Sequence, residues 1–157
     1  MANDCIKIKE EGDAITCMAD GGLAVQGKHF VYISGPRHSG GIAASGTVPA
    51  GQQGAGLTAD ATVDKSAVYM AKQVDATWVA KRALGVASWD AAAGTLFTAI
   101  REGIVPVTAG AAITGGNELQ TDNTGRVIPL AAGIAVGLAM DSQATVGNDV
   151  EVLLYNS

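Results

Sequence analysis

The chain has 157 residues, of which 48% are hydrophobic but only 4% aromatic and 16% charged, with a net charge of −5. That length suits one domain with at most an extended appendage, and its core must be assembled from Val, Ile, Leu and Ala. An acidic chain with no basic run argues against a nucleic-acid partner, and the longest apolar run, residues 128–140, holds Pro129 and two glycines and is shorter than the ~20 residues of a membrane span.

Taken in chain order, residues 1–11 are polar and lack an apolar export core, so the protein is expected to be made in a reducing cytoplasm. Cys5 and Cys17 then read as buried free thiols. Residues 5–9 alternate Ile6 and Ile8 with Lys7 and Lys9, the period of a strand, and residues 14–19 form a second β-like run. Residues 23–26 and 29–34 are expected to pair as a hairpin across Gly27-Lys28, because Phe30-Val31-Tyr32-Ile33 has strong β-propensity.

Residues 35–56 carry seven glycines, two prolines and few apolar side chains. A stretch of this length within a compact domain is usually functional or disordered, and it reads as an arm that orders against another surface. Residues 57–63 and 67–73 resume β-character. Asp75 as an N-cap and Gly85 as a stop suit a short helix over 75–84, where a strand also fits.

Beyond this point glycine turns follow at short intervals: Ala109-Gly110, Gly115-Gly116 and Asp122-Asn123-Thr124-Gly125. The strands between them are short, and Pro106 removes a ladder donor and so marks an edge strand. One pattern occurs twice. Gly85-Val86-Ala87 runs to Asp90, a turn ending at Gly94, and the strand 95–100; Gly137-Leu138-Ala139 runs to Asp141, a turn ending at Gly147, and the strand 150–155. Both copies read as a β-hairpin, with Asp and Gly chosen for the turn. The expected fold class is all-β, a small β-sandwich or β-barrel of short antiparallel strands with glycine turns, room for one short helix, and an extended Gly-rich arm. The expected division is 1–34 N-terminal strands, 35–56 arm, and 57–157 compact β-domain.

No catalytic or metal constellation can be assembled from these residues. His29 and His38 are the only histidines, and His29, at the start of an apolar strand, reads as a surface or half-buried ring. No Gly-x-Ser-x-Gly elbow exposes a nucleophile, the glycines at 51, 54 and 56 lack a following Gly-Lys-Ser/Thr, and neither Cys-x-x-Cys nor an Asp-rich calcium loop occurs. No enzyme activity, cofactor or metal is expected. Trp78 and Trp89 are the large anchors of a chain poor in aromatics; Trp89, directly before the turn residue Asp90, is the better candidate for an exposed interface anchor.

From residue 83 onward the texture LGVASWDAAAGTLFTAIREGIVPVTAGAAITGG, a Gly-Arg turn strand and the closing Gly-Asn-Asp-Val-Glu-Val-Leu-Leu hairpin resemble phage capsid decoration, or cement, proteins. The resemblance implies a structural virion protein on the outer surface of an icosahedral head, stabilising neighbouring major capsid subunits. Its implied partners are the major capsid protein and further copies of itself as a homotrimer, with neither nucleic acid nor membrane. Candidate contact residues are Arg37, His38, Ile42 and Val48 in the arm, together with Trp89. The competing class is a non-enzymatic β-sandwich that binds carbohydrate or another ligand; it requires an aromatic-lined site, which 4% aromatics makes hard to build.

Overall fold

A computed structural model describes residues 14–20, 23–34, 38–39, 67–76 and 82–155. Among them there is no helix. Eleven strands are present: β1 (Ala14–Ala19), β2 (Phe30–Ile33), β3 (His38–Ser39), β4 (Ala67–Gln73), β5 (Gly85–Ala87), β6 (Leu96–Ile100), β7 (Gly103–Thr108), β8 (Glu118–Thr121), β9 (Val127–Pro129), β10 (Gly137–Ala139) and β11 (Asp149–Leu154). They form a six-stranded sheet ordered β1-β6-β5-β2-β4-β3 and a five-stranded sheet ordered β7-β11-β10-β8-β9.

Each sheet curls until its ends meet. In the first, β1 and β4 pair in parallel, Ala19 opposite Ala71, which closes β1, β6, β5, β2 and β4 into a small barrel. In the second, a parallel bridge between Ala109 and Val127 closes the other five strands in the same way. The all-β expectation is therefore met by two barrels side by side.

The barrels are two copies of one backbone plan, related strand by strand. Ala19 N–H donates to Thr95 O (2.9 Å) and Gly94 N–H to Ala19 O (2.8 Å); Ala109 N–H donates to Asn148 O (2.8 Å) and Gly147 N–H to Ala109 O (2.8 Å). Leu84 N–H donates to Val31 O (2.7 Å), as Val136 N–H does to Leu119 O (2.8 Å). Lys28 N–H reaches Ala87 O, and Gly116 N–H reaches Ala139 O, both at 2.8 Å. The doubled hairpin visible in the sequence is thus the β5–β6 and β10–β11 part of a larger duplication that also relates β1 to β7, β2 to β8 and β4 to β9.

Equivalent interior positions carry different volumes. The first barrel encloses Cys17, Ala19, Val25, Val31, Ala71, Ala87, Phe97 and Ala99; the second encloses, in the same order, Val107, Ala109, Ile113, Leu119, Val127, Ala139, Val150 and Val152. One aromatic among alanines fills the first, and medium aliphatic side chains fill the second. Burial pushes the free Cys17 thiol up to about 11.

Three local expectations change. Residues 23–26 do not pair with β2. The neighbours of β2 are β4 and β5, and Val25 instead bridges Ala91 of the β5–β6 turn. Closing the barrel takes both edges of β2, so the local hairpin loses to long-range pairing. Gly85 does not stop a helix: it opens β5, and residues 82–84 lead into it without helical structure, while residues 77–81 lie outside the described set. His29 is buried rather than superficial, its Nδ1 2.9 Å from Gly27 O. Pro106 does lie on the edge strand β7. Thr108 N–H, two residues on, points away from β11 to Lys28 O (3.0 Å), so the donor that proline lacks falls on that same outer side.

Gly85 and Gly137 occupy matching places where strands cross closely. A Cβ at Gly85 would lie 2.3 Å from Ile100 O, and one at Gly137 2.5 Å from Leu153 O. Alanine at either site is expected to cost about 1–3 kcal/mol in urea unfolding. Replacing Phe97 by Val should cost about 2–4 kcal/mol through the cavity it leaves. Adding Ala99→Val, which copies the valine pair of the second barrel, should recover part of that loss in the same assay.

Candidate interaction surfaces

The barrels meet through the β8–β9 turn, residues 122–126, and the sequence explains its rigidity. The Asp122 carboxylate accepts hydrogen bonds from Thr124 N–H (2.8 Å), Thr124 Oγ1 (2.9 Å), Arg126 N–H (3.0 Å) and Arg126 Nε (2.8 Å). Gly125, at φ +81°, presents its carbonyl to Phe30 N–H (2.7 Å), and a Cβ there would lie 2.7 Å from Phe30 O. Beside it Gln73 Nε2 donates to Thr124 O (2.6 Å), and Lys28 Nζ pairs with Asp149 Oδ2 (2.8 Å). Beneath these polar contacts, Phe30, Tyr32, Val74, Val86 and Ile100 of the first barrel join the apolar core of the second. Burial and a hydrogen bond to Asp75 push the Tyr32 phenol up to about 12, so it remains a neutral donor there.

The Lys28–Asp149 pair also sets how the barrels face. Lys28 lies at the end of β5, against Ala87 O, and Asp149 opens β11 just after the Gly147 turn. The ion pair therefore ties the residue beside the end of β5 to the start of β11. Several exposed apolar side chains lie at or beside the turns of the two repeated hairpins. Trp89 is 41% exposed in the β5–β6 turn, Leu23 is 59% exposed two residues before the bridge to Ala91, and Met140 and Val146 flank the β10–β11 turn at 46% and 54%. The opposite ends of β5 and β10 border a cleft of about 140 Å³, lined by Phe30, Leu84, Arg101, Val136, Leu154 and Tyr155 among others. It is small beside the ~300–1,000 Å³ of typical small-molecule sites.

Of the residues singled out from sequence, Trp89 takes an exposed place in the β5–β6 turn. His38 lies in β3, opposite Val68 of β4. Arg37, Ile42 and Val48 lie outside the described residues, as do Cys5 and Trp78. Leu23, Met140 and Val146 were not anticipated; the available signal was a large apolar residue placed inside a glycine turn. Among the described residues no group of three or more His, Cys, Asp or Glu side chains converges as a metal site would require, and no helix is long and apolar enough to cross a membrane.

The described residues thus form two copies of one small all-β barrel, with exposed apolar side chains at the turns of both repeated hairpins. Residues 55–154 match the phage cement protein family, and the chain belongs to that family. The match takes in β4 to β11, so β1 and β2, which complete the first barrel, lie before it. The fold is also similar to the crystal structure of the N base of the head fiber gp8.5 of bacteriophage phi29. That likeness has a TM-score of 0.58 at 18% identity, covering 94% of this chain and 97% of that one, and is a likeness of fold. No curated protein sequence matches.

Asp122 tests how much the junction depends on this turn. Burial alone would raise its pKa, but the bonds from Thr124 and Arg126 hold it below the ordinary carboxylate value. A folded-state pKa below the unfolded one adds stability above about pH 4, which is lost as the pH falls through the folded value. Asp122→Asn should therefore cost about 1–3 kcal/mol in urea unfolding at pH 7. The gap from wild type should narrow as the carboxylate protonates.

Proposed function

We infer that this protein is a structural component of a phage head that binds the outer surface of the shell and stabilises neighbouring major capsid subunits. Membership of the phage cement protein family over residues 55–154 carries this reading, and the fold shared with a phage head-fiber base supports it. It acts without catalysis. A protein that binds the assembled shell and not its separated subunits adds its binding free energy to the assembled state.

The turns of the two repeated hairpins, with the adjoining Leu23, are the surface offered to the shell. Leu23, Trp89, Met140 and Val146 give it exposed apolar area on rigid hairpin turns, where little side-chain and backbone freedom remains to be lost on binding. Arg37, His38, Ile42 and Val48 add contacts from the segment between β2 and β4. Arg37 suits a capsid carboxylate because its guanidinium can donate two parallel hydrogen bonds. The protein works as a homotrimer on the shell, so that three modest contacts act together.

Purified protein mixed with undecorated heads should bind them and raise the temperature at which they release DNA. Absence of association at micromolar protein removes the reading. Trp89→Ala should weaken attachment roughly tenfold, as the loss of an interface anchor does, while leaving the thermal midpoint of the free protein unchanged. Deleting residues 40–54 should leave the barrels folded and also weaken attachment.

A further inference from the structure

We propose that the cleft between the two barrels, beside Arg82, is a binding site for a small carboxylate whose apolar body is about one ring in size. This site lies where the chain enters β5 and β10 and owes nothing to the shell-binding reading.

The cleft is walled by equivalent segments of the two copies. Residues 82–85 lead into β5, residues 134–136 lead into β10, and both line it. Leu84 N–H donates to Val31 O as Val136 N–H does to Leu119 O, so Leu84 matches Val136 and Arg82 matches Ile134. The β5–β6 register, with Val86 opposite Ile100, brings Arg101 to Gly85 as Leu154 stands opposite Gly137, so Arg101 matches Leu154. The two walls share a backbone plan and differ in chemistry. At both places the first barrel carries arginine and the second an aliphatic side chain.

Burial divides the cleft further. Phe30 and Leu154 are buried and make its inner surface apolar, whereas Arg82 and Tyr155 are exposed at its rim. Among the described residues that line it there is no Asp or Glu, and the Tyr155 hydroxyl turns to Glu118 Oε1 (3.1 Å) outside the lining. Arg101 is engaged in contacts of its own, so the anion's place is assigned to Arg82.

Size and charge together select the ligand. The volume, about 140 Å³, matches the ~150 Å³ of an apolar cavity that takes up one benzene ring. A ring seated on Phe30, Leu84, Val136 and Leu154 gives up apolar area to them, and a carboxylate attached to it stays at the rim. There the planar guanidinium of Arg82 can donate two parallel hydrogen bonds. Phosphate has no apolar body for these walls and loses hydration on entering. Phe30 also donates to Gly125 O at the junction, so a ligand held by the folded chain braces the contact between the barrels.

An NMR titration of the full chain, read at the methyl groups, tests the site with phenylacetate, phenylacetamide and acetate. Phenylacetate should shift the methyl signals of Leu84, Val136 and Leu154 and bind roughly fivefold more tightly than phenylacetamide, the worth of one rim ion pair. Acetate should leave those signals in place. Arg82 is exposed, so Arg82→Gln keeps the fold, and it should lower phenylacetate to the affinity of its amide. Ala135→Leu, which fills the cleft, should abolish binding of both. Phenylacetate that binds no better than its amide, that binds Arg82→Gln as well as wild type, or that shifts only other methyl groups overturns the proposal. Acetyl-glycyl-glycyl-phenylalanine with a free carboxylate separates the sources of the ligand. Tighter binding than phenylacetate supports the site with a chain end as its ligand, and weaker binding supports it with a free acid. Failure of the protein to bind phage heads would reject the shell-binding reading and leave these results standing.

Discussion

One carboxylate organises the junction on which the whole molecule depends. Asp122 gathers the N–H and hydroxyl of Thr124 with the N–H and guanidinium of Arg126, and this fixes the turn that the second barrel lays against Phe30 and Gln73. Each neutral hydrogen bond contributes little by itself, and bonds to a charged group contribute more. Their common effect is to set Gly125 where its carbonyl meets Phe30 N–H, above the apolar side chains that both barrels share. Two barrels this small hold few core residues each, so the shared cluster between them is a large part of what either buries.

Duplication lets the same backbone be filled in two ways. The strand crossings at Gly85 and Gly137 and the alanines at 19, 109, 87 and 139 are the places where two main chains approach most closely or a turn must fold over the barrel. Elsewhere volume is traded: Phe97 allows Ala99 and Ala71 opposite it, whereas Val150 requires Val152 and Val127. The copies differ most between β2 and β4, the connection that corresponds to the β8–β9 turn. Asp122 N–H donates to Arg126 O across a tight turn, while Ser34 N–H donates to Met70 O across residues 35–69. The glycine-rich segment is therefore an insertion at the position of the turn that docks one barrel on the other.

That placement bears on function. Duplication gives each barrel the same backbone places with different side chains, as at Phe30 and Glu118 or Gln73 and Pro129. Trp89, Leu23 and Val146 present apolar area on or beside short turns whose backbone is already tied by hydrogen bonds, which limits the backbone ordering left to any contact made there. Low charge fits a surface that ends covered, since few charges must be stripped of water on binding.

The sequence by itself determined the all-β class, the turns at Gly94, Gly147 and Asp122–Gly125, the edge position of Pro106, and the doubled hairpin, because each is a local matter of period two, positive φ, or a missing N–H. The family was legible in the glycine spacing for the same reason: those glycines mark either close strand crossings, as at Gly85 and Gly137, or turns of positive φ, as at Gly94, Gly116 and Gly147. The full duplication was hidden because equivalent positions such as Phe97 and Val150, or Phe30 and Glu118, share a backbone place and not a side chain. Only the tertiary structure decided that β2 would pair with β4 and β5 rather than with its neighbour in sequence. Barrel closure needs both edges of β2, and the pairing of strands far apart in the chain carries no local signal. It decided exposure likewise, since a leucine at 96 reads as core until the barrel turns it outward.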